Sequence, residues 1–472
     1  MKKPQASMMH NLSFVWISLL ALLIGTASCQ QASQEKTAQQ AKDTISQVSH
    51  PQWSKDATIY EVNIRQYTEE GTFNAFAEHL PRLKELGVDI LWIMPIHPIG
   101  EKNRKGKLGS YYSVQDYYGI NPRFGDMEDF KNLVDQAHSM DMKLIIDWVA
   151  NHTAWDNPLI ESHPDWYLKD STGNIRAPVE DWSDVAGLNY EVPEVRDYMV
   201  EAMKYWVKEA NIDGYRCDVA HMIPVDFWSR VHRELDQIKD VFMLAEAEGP
   251  KYHRAFDMSY AWELHHLMNQ VAQGEEEVQI LTEYLEKEKE NYPDNAYRMN
   301  FTSNHDENSW NGTVYERMGE GAKTFAVFTY TFPGMPLIYS GQEACMDKRL
   351  EFFQKDPIEW DKDCEMDEFY RHMNQLKEDN PTLWNGKFGG ETIQIDTDRP
   401  ADVFAFIRKQ EDSQTLVVLN FSDKKVSVKL KGDAYTGSYQ DALGEQKKTF
   451  QANTTMDLNP WDYKIFQRLA QR

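Results

Sequence analysis

Lys143-Leu144-Ile145-Ile146-Asp147-Trp148-Val149-Ala150-Asn151-His152 is a short apolar run that breaks off in polar side chains. Its length and β-branched content suit a strand buried on both faces, the kind found in parallel sheets. Seven more runs of this type lie at 59–64, 88–94, 212–218, 241–246, 255–260, 298–303 and 336–339. Helical spacing separates them. Phe73, Phe76, Ala77, Leu80, Leu83 and Leu86 fall on one helical face after the first run, and Val195, Met199, Ala202, Trp206 and Ala210 do so before the fourth. Eight strand and helix alternations are expected to close a (β/α)8 barrel over about 51–385 rather than leave an open sheet.

Two regions depart from that rhythm. Residues 152–190 are rich in Trp, Asp, Asn and Pro without a period, which predicts a small domain inserted after the third strand. From 386 to 472 the pattern turns to short strands at 403–407, 416–421, 426–430 and 463–466 with Gly and Asp between them, which predicts a C-terminal antiparallel β-sandwich domain.

At the other end, Lys2 and Lys3 precede an apolar run from Leu12 to Ile24, too short for a permanent membrane span and typical of an export signal. The signal is expected to cover 1–29. Gly25-Thr26-Ala27-Ser28-Cys29 resembles a bacterial lipoprotein cleavage site with Cys29 as the acylated residue, and simple cleavage at the small residues is the alternative. The chain is thus expected to be exported, either anchored to a bacterial envelope membrane by lipid or released. Residues 30–50, mostly Gln, Ser, Ala, Lys and Thr, read as a flexible tether. Beyond Cys29 only Cys217, Cys345 and Cys364 remain, an odd set without metal spacing, so no disulfide framework is expected.

The net charge of -25 repels phosphate backbones and anionic lipid, which excludes nucleic acid and a membrane surface as electrostatic partners. A neutral sugar polymer meets no such barrier.

In a barrel of this type the site forms where strands end. Two strand ends carry Asn-His pairs, Asn151-His152 and Asn304-His305, the second leading into Asp306. One pair alone would read as a turn. On the fourth strand, alternation puts Arg216 and Asp218 on one side, where the guanidinium would favour an ionised carboxylate suited to nucleophilic attack. The fifth strand ends at Glu246, where an apolar wall would raise the carboxyl pKa as a proton donor requires. Glu248, two places on, is the alternative donor. Two carboxylates of opposite protonation flanking a cleft are the apparatus of glycoside hydrolysis, with Asp306 placed to hold sugar hydroxyls.

From about Trp53 onward these motifs resemble the α-amylase family of glycoside hydrolases. Residues 88–96 resemble the family's second strand, 147–152 its first signature motif, 214–218 the nucleophile motif, 245–246 the general-acid motif, and 301–306 the motif ending in the transition-state aspartate. The resemblance implies that Asp218 attacks the anomeric carbon, Glu246 is acid and base, and Asp306 grips the ring. It also implies that His152, His305 and Arg216 line the same subsite and that Tyr112 stacks on the sugar. The substrate it implies is a starch-type α-glucan or maltooligosaccharide, cut with retention and without a cofactor for the chemistry. A transglycosylase or isomerase would use the same residues, and a binding protein without catalysis should lack one of the three acids. Departures are His221 and Met222 after the nucleophile, and Gly187-Leu188-Asn189 where the family has Asp-Leu-Asn. The latter removes a carboxylate from the structural calcium site that Asn151 would share.

Overall fold

A computed structural model describes residues 48–360 and 364–470. The expected export signal, the lipidation site Cys29 and nearly all of the tether lie outside the described residues. Eight parallel strands close the barrel: β1 (Ile59–Val62), β2 (Ile90–Ile93), β3 (Lys143–Trp148), β6 (Gly214–Cys217), β7 (Phe242–Ala245), β8 (Met258–Tyr260), β9 (Tyr297–Asn300) and β10 (Met335–Tyr339). Between β3 and β6 the insertion contributes a two-stranded antiparallel pair, β4 (His152–Ala154) and β5 (Val185–Gly187).

Alternation along each strand sorts side chains between two cores. Leu144, Ile146 and Trp148 face the surrounding helices, while Ile145 joins Ile59, Ile90, Phe242, Leu244 and Met299 inside the barrel. The inward series changes character toward the C-terminal rim. On β3 it runs Ile145 to Asp147; past β6 and β7 it reaches Asp218 and Glu246. Gly214 is required where β6 meets β7: it has φ +148°, and a Cβ there would sit 1.9 Å from the Phe242 carbonyl oxygen.

Two expectations are corrected here. The helical face 73–86 is two helices, Phe73–Ala77 and Leu80–Leu86, the second opening with Pro81, which can begin a helix but not continue one. The tether also ends before His50. That residue is buried, its ring stacked 4.2 Å from Tyr297 and its Nδ1 2.8 Å from Asp257 Oδ1. A polar composition identifies a segment that cannot build a core, and it does not reveal one ring that plugs an existing one.

The expectation about cysteines is likewise overturned: Cys345 and Cys364 form a disulfide, leaving Cys217 buried and free. The odd count concealed a pair. The bond ties the segment after β10 to the start of helix Met366–Asp379.

The C-terminal strands are β11 (Glu391–Gln394), β12 (Val403–Gln410), β13 (Ser413–Asn420), β14 (Val426–Lys429), β15 (Gly437–Asp441), β16 (Lys447–Phe450), β17 (Thr455–Leu458) and β18 (Tyr463–Arg468). Six of them pair as one sheet in the order β11-β12-β13-β18-β15-β16, with β14 and β17 as a separate pair. One face of the sheet, with Ala405, Ile407 and Val418, shares a core with Val428 and Leu458. The opposite face meets the barrel helix Ala322–Thr331, where Phe328 lies 5.7 Å from Phe404. Burial on both sides explains why 403–407 reads as a continuous apolar run.

Candidate active site

The rim carries a cavity of about 330 Å3 lined by Tyr112, His152, Asp218, Glu246, His305 and Asp306, among others. Behind its acids lies Arg216, fully buried on β6. Nη1 donates to Asp147 Oδ1 and to Asp218 Oδ1, both at 3.0 Å, and Nη2 lies 2.9 Å from Glu246 Oε1. Its Nε donates to the Tyr260 hydroxyl at 3.2 Å, and the Trp92 ring centre is 5.1 Å away. One planar fork thus fixes three carboxylates from three strands.

Glu246 has a second tie. Its Oε2 accepts the Val219 N–H at 2.6 Å. Val219 sits at φ 36° and ψ 45°, a left-handed conformation that costs a β-branched residue about 1–3 kcal/mol. The strain turns the amide that follows Asp218 toward Glu246. The two acids are therefore joined by a guanidinium on one side and by adjacent backbone on the other.

Three acids around one cation leave an excess of negative charge in a dry place. Burial first, and then the charge of Glu246, push the Asp218 carboxyl well above the usual carboxylate range, while Arg216 opposes them. Asp147 is raised to about 6, mainly by burial, with Arg216 and His305 opposing. Arg216 favours the ionised form of Asp218 as expected, while burial and the neighbouring acid oppose it and the net direction is upward.

A second chain of contacts runs from β1. Burial draws the His305 pKa down, but the charges of Asp306 and Glu61 and the hydrogen bond to Glu61 raise it to about 9. The imidazolium donates from Nδ1 to Glu61 and from Nε2 to the Tyr112 hydroxyl, 2.8 Å away. Tyr112 in turn donates to Asp147 Oδ2 at 3.2 Å, and its ring lies nearly parallel to that of His305. Asp306 is the most open of the acids, with His305 Nε2 3.4 Å from its Oδ2. It precedes a π-helical turn, Glu307–Asn311, a distortion often found at working sites.

His152 faces the Trp182 ring and is neutral, its pKa drawn down to about 4 by burial. Glu248 turns away: it pairs with Arg298 and accepts the Glu263 N–H, which removes it as an alternative proton donor. His221 and Met222 are exposed on a single 3-10 turn. The calcium expectation finds a poor donor set. Asn151 is buried with Nδ2 3.2 Å from His152 Nδ1, Gly187 supplies only backbone to β5, and Asn189 Oδ1 already accepts the Glu191 N–H. Among the described residues no three His, Cys, Asp or Glu side chains are arranged to hold a metal ion. These residues do not fit a calcium ion.

Sequence reasoning missed Glu61, Val219, Lys105 and the aromatic groups Trp310, Phe352 and Phe353. Glu61 carried a usable signal, because it holds an inward position on an apolar strand just as Arg216 does. The others sit on loops or, for Trp310, in the π-helical turn, where no period assigns a direction.

Comparison with known proteins agrees with this geometry. Residues 36–393 match the family described as alpha amylase, catalytic domain, and 403–462 match the alpha-amylase SusG C-terminal domain. An alpha-amylase of Haloarcula japonica is 28% identical over 84% of this chain, which spans 61% of that protein's length. A maltogenic alpha-amylase of Bacillus acidopullulyticus is 27% identical over 84% of the chain and 70% of its own. Among solved structures, a noncanonic maltogenic alpha-amylase from Thermotoga neapolitana superposes with TM-score 0.82 at 29% identity, covering 89% of this chain and all of that one.

Proposed function

The chain belongs to the family of the alpha amylase catalytic domain, and on that premise we propose that it hydrolyses α-glucosidic bonds of starch-type glucans or maltooligosaccharides with retention. The observation that carries this reading is the Arg216 fork, which gathers Asp218 and Glu246 at one rim beside Asp306.

In this mechanism Asp218 attacks the anomeric carbon while Glu246 gives its proton to the departing glycosidic oxygen, so that one C–O bond forms as the other breaks. Arg216 holds the negative charge on Asp218 in line for that attack. Water next loses a proton to Glu246 and attacks the same carbon, releasing Asp218 and a product of the original configuration. Asp306 accepts from ring hydroxyls as the sugar flattens, and Tyr112 offers its face to the apolar side of the ring. The side chains supply the chemistry without a cofactor.

The same reading has the chain exported and held at a bacterial membrane by a lipid on Cys29. The Cys345–Cys364 bond supports an oxidising compartment. The test of function is to offer starch, pullulan, cyclodextrin, maltose, sucrose and trehalose and follow products by NMR. The reading expects cleavage of the α-1,4-linked glucans with α-anomers appearing first. Sugar transfer or isomerisation as the main outcome would favour the alternative activities of these same residues, and β-anomers would overturn retention.

A further inference from the structure

Arg408 is a buried cation without an acid. On β12 it follows Phe404 and Phe406 along the face turned to the barrel, so alternation carries a guanidinium, 1% exposed, into an otherwise apolar contact. Its hydrogen bonds all go to backbone carbonyls. Nε donates to Gly390 and Nη1 to Thr331, both at 3.0 Å, while Nη2 reaches Trp384 only at 3.5 Å. Thr331 ends the helix Ala322–Thr331, whose partial negative charge offsets part of the cation. No acid among the described residues opposes the burial that draws the Arg408 pKa down to about 9.

Arg298 shows what such a charge ordinarily requires. It is nearly as buried, yet Glu248 and Glu288 lie 2.5 and 2.9 Å from it. A buried charge left unpaired is costly, and it favours any anion that can reach it.

An anion could reach this one. Arg298 and Arg408 both border a cavity of about 520 Å3 between the helix Ile280–Asn291 and the C-terminal sheet, which shares no lining residue with the catalytic cavity. Gly389 leaves the Nη2 side of the fork uncovered, since a Cβ there would lie 2.7 Å from Nη2. A guanidinium has five N–H donors, so the fork keeps donors that the three carbonyls do not use.

The lining charge agrees. Four cationic side chains border the cavity against three acidic ones, in a chain whose net charge is -25. Of those acids Glu288 is taken up by Arg298, and the other two, Asp294 and Glu391, are exposed at the edge. Lys387 is exposed on the same wall, while Tyr292 and Phe332 offer apolar surface to the body of a small molecule.

We propose that this cavity is a second binding site, in which the Arg408 fork receives a small oxyanion, a phosphate ester or a carboxylate, with Lys387 assisting from the edge. The bound anion would complete the charge balance where the C-terminal domain meets the barrel. The site does not depend on the glycosidase reading.

The test heats the full chain in inorganic phosphate, in sodium acetate and in sodium chloride at equal ionic strength and neutral pH. Occupancy stabilises the folded protein by mass action, so phosphate, acetate or both should raise the thermal midpoint saturably beyond the chloride control. A response to phosphate alone identifies a phosphate ester as the source of the oxyanion, and a response to acetate alone a carboxylate. Lys387→Glu should leave the midpoint without anion unchanged and raise the apparent Kd about five-fold, as reversing one charge at a solvent-facing edge implies. Arg408→Gln should abolish the shift, and the shift is its readout because lost carbonyl contacts lower the starting midpoint. If that variant does not fold, Lys387→Glu decides. Equal midpoints in all three salts, or a shift that both variants retain in full, overturn the site.

Discussion

Two buried arginines each gather acids in this barrel, and only one of them lies behind a catalytic cavity. Arg216 holds Asp147, Asp218 and Glu246. Arg298, on β9, holds Glu248 and Glu288 at 2.5 and 2.9 Å and packs under the Tyr292 ring. Both arginines are buried, and both clusters include a raised carboxyl group: at Glu288, as at Asp218, burial is the leading cause. What separates them is what the acids face. Arg298 and Glu288 border a cavity of about 520 Å3, but Glu248 does not share it and instead caps a backbone N–H. Around Arg216 two acids border a sugar-sized cavity, a strained amide aims at one of them, and a third acid waits at the edge. What an ionic knot can do is thus set by whether two of its acids share one cavity, as Asp218 and Glu246 do.

Substitutions should split along this line. The largest effect is expected for Asp218→Asn, which keeps the shape but removes the nucleophile: kcat on maltooligosaccharides should fall about 10^4-fold or more while oligosaccharide binding stays measurable. Retained turnover would exclude Asp218. Glu246→Gln should cost about 10^3-fold on natural linkages and far less on a glucosyl fluoride, whose leaving group needs no proton. Equal losses on both would remove Glu246 as the acid.

Arg298→Met should act on the fold and not on the chemistry. It leaves two half-buried carboxylates without their cation, for an expected loss of about 1–3 kcal/mol in denaturant unfolding with kcat within about two-fold. A selective loss of kcat would erase the distinction between the clusters. Replacing Cys345 and Cys364 by Ser should lower stability by about 2–4 kcal/mol, since the bond closes a 19-residue separation.

The smallest effect is in pH. The His305 pKa is raised to about 9 in the folded protein, so its contribution is complete below the ordinary imidazole value near 6.5 and is lost as pH rises through 9. The alkaline limb of kcat/KM should fall near that value, and His305→Gln should flatten it. An unmoved limb would assign it to another group.

Much of this was legible in the chain. All eight barrel strands could be read because burial on both faces makes their apolar runs dense, and the inward period placed Arg216 beside Asp218. The chain also exposed the rim acids, since Glu246 and Asp306 end apolar runs. What stayed hidden was set by tertiary contact. The fate of His50, the Cys345–Cys364 pair and the strain at Val219 depend on partners far away in sequence. Electrostatics was read in part for the same reason: the neighbour at i−2 was visible, while Glu246, which opposes it from the next strand, was not weighed.

The central claim is that Asp218 bonds covalently to the retained sugar. A 5-fluoro-α-glucosyl fluoride, whose intermediate turns over slowly, followed by proteolysis and peptide mass mapping, tests it directly. The account expects one fluoroglucosyl adduct, on Asp218. A label on Glu246 or Asp306, or inactivation that leaves every peptide unlabelled, would contradict it.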